Sequence, residues 1–338
     1  MERHPRAPLR ADDTPRFEDI RDAAARLCGL AHLTPVLRSR SLDALAGCEL
    51  HFKAEHLQRA GAFKFRGAAN AVSGLDAARA ARGVVTQSSG NHGAALALAC
   101  RLHGIACTVV VPRGAPRIKR EAIAREGARI VDCEVAQADR DAVTARVLAE
   151  TGGELVHPYN DARVIAGQGT AALELLGQIG RRGDGRPPLD VVLAPLSGGG
   201  LMSGTAIAAH GLDPRIRALA AEPEGARDGH DSLAGGARIR GRPADTVCDG
   251  LRAELGPLPF DLLREHAVEV LLVSDAEAVA AMRLIWERLK TVVEPSAAVP
   301  LAAVLKHRAR FAGQRVGIVL SGGNIDLDAL PGLLALAR

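Results

Sequence analysis

The feature that most constrains this chain is its alternation of short apolar runs with longer amphipathic stretches. GVVTQ (83–87) reads as a buried strand and AALALACRLHG (94–104) as the helix behind it. There follow the strand CTVVVP (107–112), a helix over about 116–126, the strand ARIVDCE (128–134), a helix over about 139–150 and the strand ELVHPY (154–159). Strands separated by helical segments build a parallel sheet covered by helices. The pattern returns with the strand DVVLAPL (190–196) and the helix LMSGTAIAAH (201–210), then the strands RIRALAAEPE (215–224) and AVEVLLVSD (267–275). The helix DAEAVAAMRLIWERLK (275–290) and the strand of RVGIVLSGGNID (315–326) complete it. Two such clusters predict two α/β domains with a cleft between them. GRRGDGRPP (180–188) is a surface loop. The chain shows no internal repeat and no low-complexity tract.

Several function classes fall away. The 43 basic and 39 acidic residues are spread along the chain, and a net charge of +4 without a basic block does not suit nucleic acid. Aromatic residues are 2% of the chain, too few for base-stacking platforms. No apolar run approaches the ~20 residues of a membrane span, and the polar start MERHPRAPLRADDTPR lacks the apolar stretch of a signal peptide. Residues 1–14 are expected to form a loose tail. Cys28, Cys48, Cys100, Cys107, Cys133 and Cys248 have neither Cys-x-x-Cys nor zinc-finger spacing, which predicts buried thiols in a reduced, cytoplasmic protein.

Three glycine turns follow apolar strands: SSGNHG (88–93), SGGG (197–200) and SGG (321–323). Glycine lets backbone N–H groups approach an anion closely, and a helix starting at SGGG adds its positive end. Each turn alone equally fits an ordinary βα connection, and SGGGLMSG lacks the G-x-G-x-x-G of dinucleotide binding. The chain has only five lysines: Lys53, Lys64, Lys119, Lys290 and Lys306. Lys64 lies in AGAFKFRGAANAV (60–72), between two phenylalanines. An apolar setting lowers a lysine pKa and supplies the neutral amine that imine formation needs.

Together these segments resemble one family. EHLQRAGAFKFRGAANAV, SSGNHGAALA, HPYNDARVIAGQGTAALELL, SGGGLMSG, EPSAAVPLAAVL and LSGGNIDL resemble, in order, the motifs of the fold-type II pyridoxal-phosphate (PLP) enzymes, in particular the serine/threonine dehydratases and serine racemases. The resemblance implies a tryptophan-synthase-β-like α/β fold. Residues 15–82 and 160–338 would form a large cofactor-binding domain, and 83–159 a small mobile one. It further implies a likeness in assembly, a homodimer.

By the same resemblance Lys64 carries the cofactor as an imine, Asn91 bonds its ring hydroxyl, Ser197, Gly198, Gly199 and Gly200 cradle its phosphate, and Ser321 faces its pyridine nitrogen. A hydroxyl there leaves the ring a weaker electron sink, which suits β-elimination. Ser88, Ser89, Asn91 and His92 would bind the substrate carboxylate, and Ser89 could protonate the opposite face in a racemase. Arg140 aligns with an arginine near the substrate in the racemase branch; a solvated helix arginine is an equal reading. EPEGARD (222–228) resembles a Mg²⁺ or Ca²⁺ turn made of Glu222, the Ala226 carbonyl and Asp228, although Arg227 adds positive charge there.

The activity expected first is an ammonia-lyase that removes water from L-threonine or L-serine, giving a 2-oxo acid and ammonia. Serine racemisation, or dehydration of 3-hydroxyaspartate or another β-hydroxy amino acid, is the alternative. A PLP-binding protein without catalysis is disfavoured by the intact Lys64, Ser89 and Asn91. Ser197, Ala62 and Pro300 depart from the family pattern, and no regulatory extension is expected after LSGGNID.

Overall fold

The β-branched residues concentrated in the apolar runs suit a pleated, packed surface. In the computed structural model, which describes residues 9–88, 90–115 and 117–336, these runs form ten strands in two sheets. The strands are β1 (Val36–Leu37), β2 (Glu49–Lys53), β3 (Val84–Gln87), β4 (Cys107–Pro112), β5 (Arg129–Cys133), β6 (Glu154–Leu155), β7 (Val191–Pro195), β8 (Arg217–Pro223), β9 (Glu269–Val273) and β10 (Arg315–Val319). One sheet has the order β1-β2-β10-β7-β8-β9, the other β5-β4-β3-β6. Every pairing is parallel except β1 with β2. Parallel strands need crossovers, and helices supply them.

The helices are α1 (Phe17–Leu27), α2 (Arg40–Ala46), α3 (Lys64–Ser73), α4 (Ala77–Arg82), α5 (Asn91–Leu102), α6 (Arg117–Arg125), α7 (Gln137–Thr151) and α8 (Ala162–Ile179). Beyond them lie α9 (Gly200–Leu212), α10 (Asp228–Gly235), α11 (Pro257–Glu265), α12 (Asp275–Leu289), α13 (Pro295–Lys306), α14 (Arg308–Phe311) and α15 (Leu330–Ala335). Phe52, Leu193, Met282 and Phe311 belong to the core of the six-stranded sheet. Phe65, Leu96, Val109 and Ile123 belong to that of the four-stranded sheet.

The structure departs from the sequence reading at one strand, for a local cause, and adds detail at two other places. The strand expected over 154–159 pairs only at Glu154–Leu155. After Val156, Pro158 has no N–H to donate, and the amides of Tyr159 and Asn160 turn back onto His157 Nδ1 at 3.4 and 3.0 Å. Pro300, which departs from the family pattern, lies inside α13. Within the stretch expected to be loose, Leu9 packs on a core cluster with Ile20 and Ile165, and the Ala11 carbonyl accepts the Ala162 N–H at 2.8 Å.

A desolvated ion cluster fixes α3 against β2 and α8. Arg66 is fully buried and bonds Glu55 and Glu174, each at 2.7 Å. Lys53, also fully buried, bonds Glu174, the Thr34 carbonyl and Gln178 at 2.7, 2.7 and 2.9 Å. Losing the central cation leaves the fully buried Glu55 without its paired charge, while Glu174 keeps Lys53. Arg66→Met is therefore expected to cost about 3–5 kcal/mol of stability, read as a fall in the denaturant midpoint at unchanged slope.

Candidate active site

Four turns at the carboxyl ends of parallel strands meet in one place, where ligands bind in open α/β sheets. They follow β3, β6, β7 and β10. The segment that leads into α3 lies alongside the turn after β10. Ala62 bridges Gly322, the Phe63 N–H donates to the Ser321 carbonyl at 3.0 Å, and the Gly323 N–H donates to the Gly61 carbonyl at 2.9 Å. Lys64, the first residue of α3, is thereby held beside the buried Ser321. Its Nζ donates to the Pro158 carbonyl at 2.8 Å and stands 5.1 Å from the Phe63 ring centroid. Burial pushes its pKa down to about 8.

In the turn after β7, Gly199 adopts φ +94°, open to glycine, and Gly200 begins α9. The Gly198 carbonyl accepts the Gly256 N–H at 3.2 Å. The Ser197 hydroxyl donates to the Ala253 carbonyl and accepts the Ala253 N–H, both at 3.0 Å, so its side chain braces the turn. The Tyr159 ring lies against Gly198, where no Cβ could fit. Burial pushes its phenol up to about 12.

The turn after β3 contributes Asn91 and His92. The Ser88 hydroxyl accepts the N–H groups of Gly90 and Gly93 at 3.2 and 3.0 Å and so helps start α5. Ser89 lies outside the described residues. His92 is buried, its Nε2 is 3.4 Å from the Val156 carbonyl and its Nδ1 has no partner among the described residues. Burial, and next the Lys64 charge, hold it neutral, well below the usual histidine range.

Asn91 reaches across to the larger sheet. Its amide donates to Glu294 at 3.2 and 3.3 Å and accepts from Asn324 at 2.9 Å. Glu294 is buried, and burial, reinforced by Asp249, lifts its pKa to about 7. Lys119 of α6 pairs with Asp249, a second link between the two bodies. Glu294 and Tyr159 were missed in the sequence reading of the site; a lone carboxyl at the head of the apolar run EPSAAVPLAAVL was the available signal for the first.

Arg140 lies on α7, one turn after Gln137 and next in sequence to Asp141, and its charge is felt by Cys133 of β5. Gln137 and Asp141 both reach Gln87, the last residue of β3: Asp141 accepts its amide at 3.0 Å, and Gln137 approaches it at 3.4 Å. The Arg140 Nε is buried without a partner among the described residues.

The turn that resembles a divalent-cation site lies elsewhere, at the end of β8. Glu222 accepts the N–H groups of Gly229 and His230 at 3.1 and 2.8 Å, and Asp228 accepts that of Leu255 at 2.8 Å. Arg227, expected to intrude, forks instead onto Asp231 at 2.9 Å. Among the described residues, no three His, Cys, Asp or Glu side chains gather into a metal cage.

A buried amine beside glycine turns suits a phosphorylated aldehyde, and comparison with known proteins agrees. The family model described as "Pyridoxal-phosphate dependent enzyme" matches residues 29–322. The chain belongs to this family. The enzyme is 49% identical over 317 residues to a beta-hydroxyaspartate dehydratase of Paracoccus denitrificans (strain Pd 1222), covering 94% of this chain and 98% of the relative. It is 47% identical over 316 residues to a serine racemase of Arabidopsis thaliana, covering 92% and 93%. Its fold is similar to that of maize serine racemase, with a TM-score of 0.90 at 44% identity, covering 96% of this chain and 98% of that one. It is thus a PLP enzyme of the serine racemase and dehydratase group. Among its described residues, no helix is long and apolar enough to cross a membrane.

Only a neutral amine attacks an aldehyde, and for Lys64 that fraction grows as pH rises through its depressed pKa. The rate at which cofactor-free enzyme develops the visible band with added PLP is expected to climb between about pH 7 and 9 and then level off. Stopped-flow absorbance checks this.

Proposed function

We propose that the enzyme is an ammonia-lyase whose substrate is 3-hydroxyaspartate, which loses water and yields a 2-oxo diacid and ammonia. The observation that carries this reading is Arg140, whose buried Nε is unsatisfied, on α7, the helix whose Gln137 and Asp141 meet the end of β3. An arginine nitrogen left without a partner suits a carboxylate that threonine and serine lack in their side chains. The similarity to beta-hydroxyaspartate dehydratase supports the same order, so L-threonine and L-serine, expected first from sequence, take second place.

In this reading Lys64 Nζ holds the cofactor and, once released, takes the Cα proton; its low pKa keeps the amine ready. The bound cofactor supplies the electron sink for the Cα electron pair. The N–H groups of Ser197, Gly198, Gly199 and Gly200 would hold its phosphate, Asn91 its ring hydroxyl, and Ser321 its pyridine nitrogen. Ser88, Ser89, Asn91 and His92 receive the α-carboxylate; with His92 neutral, the backbone N–H groups at the start of α5 provide most of the attraction. The four-stranded body, residues 83–159, closes on substrate and excludes water. The C–O bond at Cβ breaks and the hydroxyl leaves as water with the proton that Lys64 took from Cα, and the enamine hydrolyses after release.

The test is a keto-acid assay over 3-hydroxyaspartate, serine and threonine with wild type and R140A. R140A is expected to lower kcat/KM for 3-hydroxyaspartate about 100-fold and that for serine less than about threefold. Equal losses on both substrates would remove Arg140 from the distal carboxylate. Serine racemisation is the second reading, favoured by the similarity to the Arabidopsis enzyme. Formation of D-serine from L-serine faster than pyruvate would select it.

The turn at Glu222 and Asp228 suits a hard cation. Both carboxylates accept only backbone N–H groups. Burial raises the pKa of each, and Asp228 raises that of Glu222 further. Mg²⁺ or Ca²⁺, bound with the Ala226 carbonyl, would relieve that cost as a structural ion. Addition of either ion to chelator-treated enzyme is expected to raise the melting temperature by a few degrees, about 2.7 kcal/mol at a hundredfold excess over Kd. In E222Q the melting temperature should not respond.

A further inference from the structure

One buried polar side chain has no part in the mechanism above. Gln168, in the first half of α8, is fully buried, and neither its Oε1 nor its Nε2 has a hydrogen-bond partner among the described residues. A buried amide left unsatisfied at both ends is rare in a native fold and costs more than an ordinary hydrogen bond returns.

Its surroundings indicate what would satisfy it. A Cβ on Gly67 would lie 3.0 Å from Gln168 Cγ, and a Cβ on Gly200 would lie 2.7 Å from Gln168 Oε1. Gly67 is one turn beyond Lys64 on α3, and Gly200 closes the SGGG turn as the first residue of α9. Tyr159 borders the same spot, its Cα 3.0 Å from that Gly200 Cβ position. The amide thus stands between the helix that carries Lys64 and the positive end of a 13-residue helix. Because neither end is bonded, a half-turn about χ3 exchanges oxygen for nitrogen without breaking a hydrogen bond, and presents the N–H donors towards Gly200.

We propose that Gln168 is a further anchor for the phosphate of the cofactor, its amide N–H groups donating to the phosphoryl oxygens alongside the backbone of the SGGG turn. This rests on the reading of that turn as the phosphate cradle. It adds a neutral side-chain donor to a site otherwise made of main chain.

The experiment measures the affinity of cofactor-free enzyme for PLP and for pyridoxal, which lacks the phosphate, by titrating the visible band. Inorganic phosphate is added separately in thermal melts. Q168M keeps the length and removes the hydrogen-bonding atoms. It is expected to weaken PLP about tenfold, to leave pyridoxal within about twofold, and to lose most of the melting shift that phosphate gives the wild type. PLP affinity equal to wild type, or equal losses for PLP and pyridoxal, would overturn the proposal, the second result marking Gln168 as packing alone. Q168E, which sets a negative charge by the phosphate, supplies the same comparison if Q168M is too unstable to purify; its PLP loss should be the larger, with pyridoxal again spared. A wild type that takes up no PLP would overturn the cofactor reading itself, and this proposal with it.

Discussion

Close packing of three helices is the constraint on which the rest of this structure depends. α8 lies between α3 and α9, and small residues let the backbones touch. A Cβ on Gly169 would come within 2.7 Å of the Gly204 carbonyl, and one on Gly67 equally near the Val164 carbonyl. Helices at that separation leave no slack, because buried side chains fill space at crystal-like density. The start of α3 therefore fixes Lys64, and the start of α9 fixes the glycine turn. The relative placement of amine and anion site follows from helix crossings, not from the loops that carry them.

Electrostatics in the site follows from what this packing excludes. Lys64 is desolvated without a carboxylate partner, so its charge is disfavoured. Lys53 and Arg66, equally dry, are wrapped by Glu55 and Glu174. Two cations thus serve structure, while one amine eleven residues beyond Lys53 is kept reactive by having no counter-charge. Histidines nearby are held neutral in the same way, His157 at about 4 by burial. Glu294 carries the opposite imbalance behind Asn91.

Much of this was legible in the sequence, for a physical reason. Parallel strands are buried on both faces and read as continuous apolar runs, so β3, β4, β7 and β10 stood out. Glycine turns after such runs marked the strand ends where sites form. What stayed hidden depends on contacts between distant segments. Nothing local told that Tyr159 would lie on Gly198, that Arg227 would fork onto Asp231, or that Asn91 would reach Glu294. The strand at 154–159 was overextended because its apolar pattern continues, while the amides of Tyr159 and Asn160 turn onto His157. Gln168 sat in the quoted AGQGT segment, but an unsatisfied amide is visible only once its neighbours are in place.

The strand order has a consequence for how the chain reaches this state. β10, made after every other strand of the large sheet, inserts between β2 and β7. As synthesis proceeds, β2 and β7 each present an open edge until β10 has emerged. The Phe63 N–H and the Gly61 carbonyl, beside Lys64, lack these partners before Ser321 and Gly323 arrive. The contacts that complete the cleft are long in sequence separation and so slow to form. The four-stranded sheet is built from one continuous stretch, β3 to β6, and needs nothing from β10, whereas the backbone contacts beside Lys64 require the turn that follows it.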